Sequence, residues 1–415
     1  MGSKRVPEVR FEGFSGEWNE VKLESIFGKI RNAFVGTATP YYVEDGHFYL
    51  ESNNIKNGQI NRKAEVFIND EFYEKQRDNW LHTDDLVMVQ SGHVGHTAVI
   101  PKELNNTAAH ALIMFSNYRK ETNPHFLNYQ FQNQKSKKKL GSITTGNTIK
   151  HILSSEMKKF LVDIPNFVEQ TQIGHFFKQL DETIALHQQE LDTLKQTKQG
   201  FLQKMFPKEG ESVPEVRFAG FSGEWEQIRL GEKAIIKGRL GWKSLKQEEY
   251  TTEGPSMIAG KHIKNGVINW TSVDHIPQWR YDESPEIMLE DGDVIFSKDG
   301  SLGNPALISN LKGPATINST MMLVRVDETI DSEFFYQVMK SEKFERLIYL
   351  KVSGSSIPHL FQADMNDFMF QAPSKLEQIK IGNFFKQLEG TIALQQQELN
   401  ILKQTKKAFL QKMFV

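Results

Sequence analysis

The chain has no cysteine in 415 residues. Disulfides and thiolate metal sites are therefore excluded, and a reducing cytoplasm suits the composition. No stretch approaches the roughly 18 consecutive apolar residues that a membrane span needs, so no membrane partner is expected. Residues 1–11 lack the apolar core of a signal peptide. An excess of one charge is missing too: 50 Lys and Arg against 52 Asp and Glu leave a net charge of −2. That argues against a protein that coats nucleic acid by charge alone. It leaves room for a specific reader whose lysines are clustered on one face. Hydrophobic residues at 39% and charged residues at 25% are ordinary for a globular protein, and the length calls for two domains or more.

What is present is a repeat. Val6-Pro-Glu-Val-Arg-Phe-Glu-Gly-Phe-Ser-Gly-Glu-Trp18 returns as Val213-Pro-Glu-Val-Arg-Phe-Ala-Gly-Phe-Ser-Gly-Glu-Trp225, an offset of 207. Residues 169–206 return as 377–414 at an offset of 208, with about three quarters of positions identical. Between these blocks the sequences diverge while the frame holds. Ile55-Lys-Asn-Gly matches Ile263-Lys-Asn-Gly, Asp85-Leu-Val matches Asp293-Val-Ile, and Gly92 and Gly95 match Gly300 and Gly303. Gly146, His151 and Pro165 match Gly354, His359 and Pro373. One unit is thus written twice: a shared opening motif, a variable globular part and a shared helix.

The shared blocks step by four and three residues. Ile173, Phe177, Leu180, Ile184, His187, Leu191, Leu194, Lys198, Phe201 and Met205 form the first apolar seam. Ile381, Phe385, Leu388, Ile392, Gln395, Leu399, Leu402, Lys406, Phe409 and Met413 form the second. A period of 3.5 residues is that of a coiled-coil helix. Asn166 three residues before Glu169, and Ser374 three before Glu377, read as capping boxes. The polar seam positions, His187 or Gln395 and Lys198 or Lys406, either fix the register of two paired helices or face solvent or a partner.

The globular parts, residues 19–165 and 226–373, read as mixed α and β. Leu86-Val-Met-Val89 and Asp293-Val-Ile-Phe296 suit strands, and Phe126-Leu-Asn-Tyr129 and Phe334-Phe-Tyr-Gln337 suit helices. The Gly92-x-x-Gly95 and Gly300-x-x-Gly303 loops are either hairpin turns or phosphate-holding loops, the turn being favoured. Thr144-Thr-Gly-Asn-Thr-Ile-Lys-His151 aligns with Val352-Ser-Gly-Ser-Ser-Ile-Pro-His359. Loops of that kind present hydroxyls and amides to phosphates and base edges. They make Thr144, Thr145, Asn147, Thr148, Lys150 and His151, with Ser353, Ser355, Ser356 and His359, candidate DNA-contacting residues. Lys137 and Lys138 precede the first loop, where they would neutralise phosphate. Arg31, Asn53, Asn54 and Lys56 in the first copy, and Arg239, Lys243, Lys261, His262, Lys264 and Lys298 in the second, are further candidates, because Arg, Lys, Asn and His can read base edges.

Chemistry for catalysis does not recur between the copies. Asn123-Pro-His-Phe126 comes near the Asn-Pro-Pro-aromatic loop of adenine methyltransferases, but His125 replaces a proline and no glycine-rich cofactor loop lies upstream. Residues 254–261 miss a P-loop by one residue of spacing, with His262 where Ser or Thr belongs. His93, His96 and His110 face Ser301, Asn304 and Asn318 in the second copy, so they do not repeat as a metal set. The chain is expected to be non-catalytic and to carry neither metal nor cofactor.

This plan, with a motif ending in Gly-Glu-Trp and a helix that opens Ile-Gly-x-Phe-Phe-Lys-Gln-Leu and closes Phe-Leu-Gln-Lys-Met-Phe, resembles the DNA-specificity subunits of type I restriction–modification systems. The resemblance runs from Val6 to Phe414. It implies an α+β fold in which two mixed target-recognition domains, residues 1–165 and 208–373, are separated by two long antiparallel helices, 166–207 and 374–415, with a pseudo-two-fold repeat. It further implies that each domain reads half of an interrupted site in double-stranded DNA, that the helices set the spacing, and that two modification subunits and the restriction subunits assemble on this frame in the cytoplasm. S-adenosylmethionine, ATP and Mg would then belong to those partners. A duplicated DNA-binding protein outside restriction and a coiled-coil scaffold without nucleic acid remain the alternatives from the residues alone.

Overall fold

Leu86–Val89 carries no polar residue and is buried on both faces, as an alternation-free run requires. In the computed structural model, which describes residues 5–146, 150–239, 245–353 and 358–415, it is the second strand in sequence of a four-stranded antiparallel sheet. The strands are β1 (Phe27–Asn32), β2 (Leu86–Val89), β3 (Thr97–Val99) and β4 (Leu112–Tyr118), ordered β1-β4-β2-β3. Helices α1 (Pro124–Gln132) and α2 (Gln134–Ser142) follow, and the long helix α3 spans Phe167–Lys204. The second copy repeats the plan with β5 (Ala234–Gly238), β6 (Val294–Ser297), β7 (Gly303–Leu307) and β8 (Met321–Val326), ordered β5-β8-β6-β7. Helices α4 (Ser332–Val338), α5 (Glu342–Ser353) and α6 (Lys375–Lys412) complete it. Among the described residues the second sheets differ, with four strands in the first copy and three in the second. No helix among the described residues is long and apolar enough to cross a membrane.

The compact units are not the two sequence copies. The first unit comprises residues 1–188 and 397–415, the second residues 189–396. Each core therefore closes on the helix end of the other copy. In the first unit Phe414 packs against Trp18, Phe126 and Phe177, with ring centroids 6.2, 5.5 and 5.7 Å away. In the second Phe206 takes the same place against Trp225, Phe334 and Phe385, at 6.0, 5.6 and 6.3 Å. This explains why the Phe-Leu-Gln-Lys-Met-Phe closure recurs: both copies must fill the same aromatic socket.

Within each unit the helix segments run antiparallel, and every seam position named from the sequence is buried or half-buried. Lys406 pairs with Asp181 at 2.5 Å in the first unit, and Lys198 with Glu389 at 2.5 Å in the second. Lys403 donates to Gln188 and Lys195 to Gln396. His187 faces Glu398 at 4.0 Å, and Gln395 donates to Glu190 at 2.8 Å. The polar seam residues thus bond across the helix pair, which fixes its register.

The helix starts depart from the capping-box expectation. The Glu169 amide does donate to Asn166 Oδ1 at 2.9 Å. The Glu169 carboxylate, however, does not return to the cap. It takes a two-point contact from Arg10 at 2.7 Å, while Arg10 also donates to the Gly16 carbonyl. Arg217, Glu377 and Gly223 repeat the arrangement. The opening motif is therefore a clamp on the helix start, and a planar guanidinium outcompetes a single amide for the carboxylate.

The glycine of Ile-Gly-x-Phe-Phe is fixed by close approach. A Cβ at Gly174 would meet Asn123 Oδ1 at 2.5 Å and the Phe126 amide nitrogen at 3.0 Å, the N-terminus of α1. Gly174→Ala should lower stability by about 1–2 kcal/mol, the overpacking cost outweighing the helix-propensity gain. Gly390→Ala, where nothing lies within 4 Å, should instead gain about 0.5–1 kcal/mol. Denaturant midpoints of the two variants check this, and equal shifts of the same sign would contradict the packing argument.

Candidate nucleic-acid interface

In each unit the candidate residues that the structure describes gather around one end of the four-stranded sheet. In the first unit Asn32 pairs with Ile113, Leu112 with Val89, and Met88 with Thr97, so β1 and β2 end where β3 and β4 begin. The loop leaving β2 is laced to the Thr144–His151 loop by backbone bonds. Gly92 donates to the Lys150 carbonyl at 3.2 Å, Ile152 to Gln90 at 3.0 Å, and Thr145 and His151 exchange bonds at 2.9 and 2.8 Å. In the second unit Leu360 donates to the Lys298 carbonyl at 2.9 Å, and His359 Nδ1 contacts Asp299, whose other oxygen lies 3.1 Å from Lys298 Nζ. Gly92, Gly95, Gly300 and Gly303 all have positive φ, so these glycines are demanded by the turns themselves.

The Ile-Lys-Asn-Gly repeat is a β-hairpin beside this end. Ile55–Lys56 pairs with Gln59–Ile60, and Ile263–Lys264 with Val267–Ile268. Asn57 and Gly58 have φ of 53° and 86°, Asn265 and Gly266 of 53° and 79°, the left-handed pair that a two-residue hairpin turn requires. The hairpins expose Lys56 and Lys264.

Asn53, Lys137, Lys138, Thr145, Lys150, His151 and Lys261 are also exposed. Lys56, Lys137, Lys138 and Lys150 make no ion pair among the described residues, whereas Lys261 pairs with Asp274 at 2.9 Å. Burial pushes the His96 imidazole below its ordinary value, and the nearby Lys137, His93 and Lys56 act in the same direction. Thr144, Lys298 and His359 are half-buried, and the Thr144 hydroxyl donates to the Leu140 carbonyl.

Four candidates point inward. Asn54 accepts from the Glu51 amide at 2.9 Å and donates to the Asn61 and Ala64 carbonyls. His262, its counterpart, accepts from the Ala259 amide at 3.0 Å. Both are buried and hold the turn that launches the hairpin. Arg239 is 3% exposed, donating to the Ile317 carbonyl and Ser284, and burial pushes its pKa down. Arg31, at the matching position on β1, is half-buried and shifted the same way. Asn147, Thr148, Lys243, Ser355 and Ser356 lie outside the described residues, as does the side chain of Ser353.

Sequence reasoning missed His96 and Asn304 as hairpin contacts. His96 Nδ1 accepts from the Asn57 amide at 3.3 Å, and Asn304 Nδ2 donates to the Ile263 carbonyl at 3.0 Å. Their shared position in the frame was the available signal, obscured because the residue type changes.

Known proteins resemble this chain in sequence family and fold. The family described as "Type I restriction modification DNA specificity domain" matches residues 15–196 and again 223–404. The MjaVIII specificity subunit of Methanocaldococcus jannaschii is 20% identical over 99% of this chain and 93% of its own length. The EcoAI specificity subunit of Escherichia coli is 31% identical over 110 residues, 26% of this chain and 18% of its own length. The type I restriction–modification S subunit from M. genitalium superposes with a TM-score of 0.66 at 16% identity, covering 99% of both chains. A chain from a structure of type I system assembly gives 0.52 at 17% identity, over 95% of this chain and 96% of that one. With the specificity domain matched twice, across both copies of its repeat, the chain belongs to the type I restriction–modification DNA-specificity family.

Proposed function

We propose that this chain reads a two-part, interrupted site in double-stranded DNA, one half through the sheet-end loops of each unit, and directs adenine methylation and restriction by partner subunits. The observation that carries the reading is that the same loops and hairpin recur at the same sheet end of two units on a common helical frame, while their residues differ. Lys137 and Lys138 of the first copy stand where the second has Glu345 and Arg346. A shared scaffold with different contact residues is what two half-sites of different sequence require. The exposed lysines supply phosphate neutralisation, and the seam pairs hold the spacing of the half-sites.

The chain itself is non-catalytic on this reading. Two modification subunits dock on it, with restriction subunits joining. S-adenosylmethionine, ATP and Mg reside on those partners, and the assembly works in the cytoplasm. The test is the methylome of a host expressing this chain, a modification subunit, or both. Methylation of one interrupted motif is expected only with both. Exchanging residues 19–165 for those of another family member should then change one half of that motif. Methylation by the chain alone, or a change in both halves, would overturn the proposal.

A further inference from the structure

We propose that His96 and Asn304 are positioning residues, each seating the Asn–Gly hairpin of its own unit beside the sheet end, and that the first seat, unlike the second, is released when His96 takes up a proton. The consequence for DNA rests on the proposed function; the seat does not.

Besides a backbone bridge from Gly58 to Ala98 in the first unit, side chains hold each hairpin at two places. From the helix side, Asn128 of α1 donates to the Gly58 carbonyl at 2.9 Å, and Tyr336 of α4 donates to the Gly266 carbonyl at 3.3 Å. Asn128 and Tyr336 are matched positions at the 208 offset. From the sheet side the holds are His96 and Asn304, matched likewise. Two-residue hairpins are marginal alone, so these contacts help set where Lys56 and Lys264 stand.

The two sheet-side seats differ in chemistry. The Asn57 N–H needs the lone pair on His96 Nδ1, so the bound ring is neutral and carries its proton on Nε2. Protonation places a second donor on Nδ1, facing the amide, and the contact becomes repulsive. The amide of Asn304 has no such titration. The charges acting on His96 are Lys56 from the hairpin, His93 from its own loop and Lys137 from α2, all positive, and with burial they favour the neutral ring. The folded value lies below the ordinary 6.5. The seat is therefore intact above about pH 6.5 and is lost as pH falls through the lower folded value.

His96→Asn keeps an acceptor where Nδ1 stood but does not titrate; His96→Ala removes the seat. In the free full-length chain, labelled at histidine and asparagine, the His96 ring should show the Nε2–H form at pH 8, and the Asn57 amide resonance should move with its titration. On a duplex carrying the motif mapped in the methylome experiment, with the modification subunit present, His96→Ala should bind roughly five- to tenfold more weakly at pH 8, the worth of about one net hydrogen bond. His96→Asn should restore binding. One pH unit below the His96 midpoint read from that titration, the wild-type chain should fall behind His96→Asn by a similar factor. A wild-type to His96→Asn ratio that stays constant from pH 8 to one unit below the measured His96 midpoint, or an Asn57 amide indifferent to His96, would overturn the proposal. Coupled titration of His96 and Asn57 in a chain that binds no duplex would sustain the seat and count against the DNA reading instead.

Discussion

Arg217→Ala should destabilise the second unit by about 3–5 kcal/mol. The Glu377 carboxylate is 1% exposed, and Arg217 supplies both of its charge-assisted bonds at 2.7 Å. Removing one partner of a buried pair leaves a desolvated charge, which is the costly case. The arginine also donates to the Gly223 carbonyl, so the truncation frees the Phe-Ser-Gly turn and the segment leading to Trp225, a wall of the socket for Phe206. Arg10→Ala should do the same to the first unit through Glu169. The double change Arg217→Met with Glu377→Leu should recover most of the loss, since an apolar pair of similar volume avoids the orphaned charge. Denaturant unfolding of the full chain, followed by fluorescence in backgrounds that keep only Trp18 or only Trp225, measures it. A loss under about 1 kcal/mol for Arg217→Ala would show that water reaches Glu377 readily and that the clamp is ornamental.

The same clamp shows what the sequence made legible and what it did not. The seam was legible because a 3.5-residue period is local: each apolar position is set by its neighbours in one helix. Glu169 was legible as a helix-start residue, but its partner Arg10 lies 159 positions away, and no local pattern announces that pairing. The order β1-β4-β2-β3 was unreadable for the same reason, since β1 and β4 are joined only after two intervening strands and a second sheet. At the interface, Ile-Lys-Asn-Gly carried a turn signal strong enough to fix a hairpin. Residue type alone promoted Asn54, His262 and Arg239 as base readers. Type does not report burial, and each turned inward because the hairpin turn or the sheet end needed a polar group to satisfy buried backbone. His96 was passed over for the complementary reason: as a metal ligand it lacked a repeated set, and its bond to a backbone amide leaves no trace in sequence.

Residues 1–207 alone should dimerise and, with the modification subunit, direct methylation to an interrupted palindrome. The first unit needs residues 397–415 to close its core, and the fragment lacks them. A second copy of the fragment can supply 189–207 in their place. Phe206 replaces Phe414 in the socket of Trp18, Phe126 and Phe177, and Met205 replaces Met413. Lys198 replaces Lys406 opposite Asp181, Lys195 replaces Lys403 opposite Gln188, and Glu190 replaces Glu398 opposite His187. The Lys204 carbonyl replaces that of Lys412 as acceptor for the Val9 amide. The substitutions that remain are Asp192 for Asn400, Thr193 for Ile401, Gln199 for Lys407, Gly200 for Ala408 and Pro207 for Val415. Ile401 and Lys407 are exposed, and the glycine costs about 1 kcal/mol of helix propensity. Against this, an uncovered socket leaves apolar surface in water at about 25 cal/mol per Å². Closure by exchange makes the dimer isologous, so both readers are the same and the two half-sites must be one sequence inverted. Sedimentation of the fragment and the methylome it directs test both steps. A monomer at micromolar concentration would show that 189–207 cannot fill the place of 397–415. A dimer that methylates a non-palindromic motif would show that the two fragments do not close as an isologous pair.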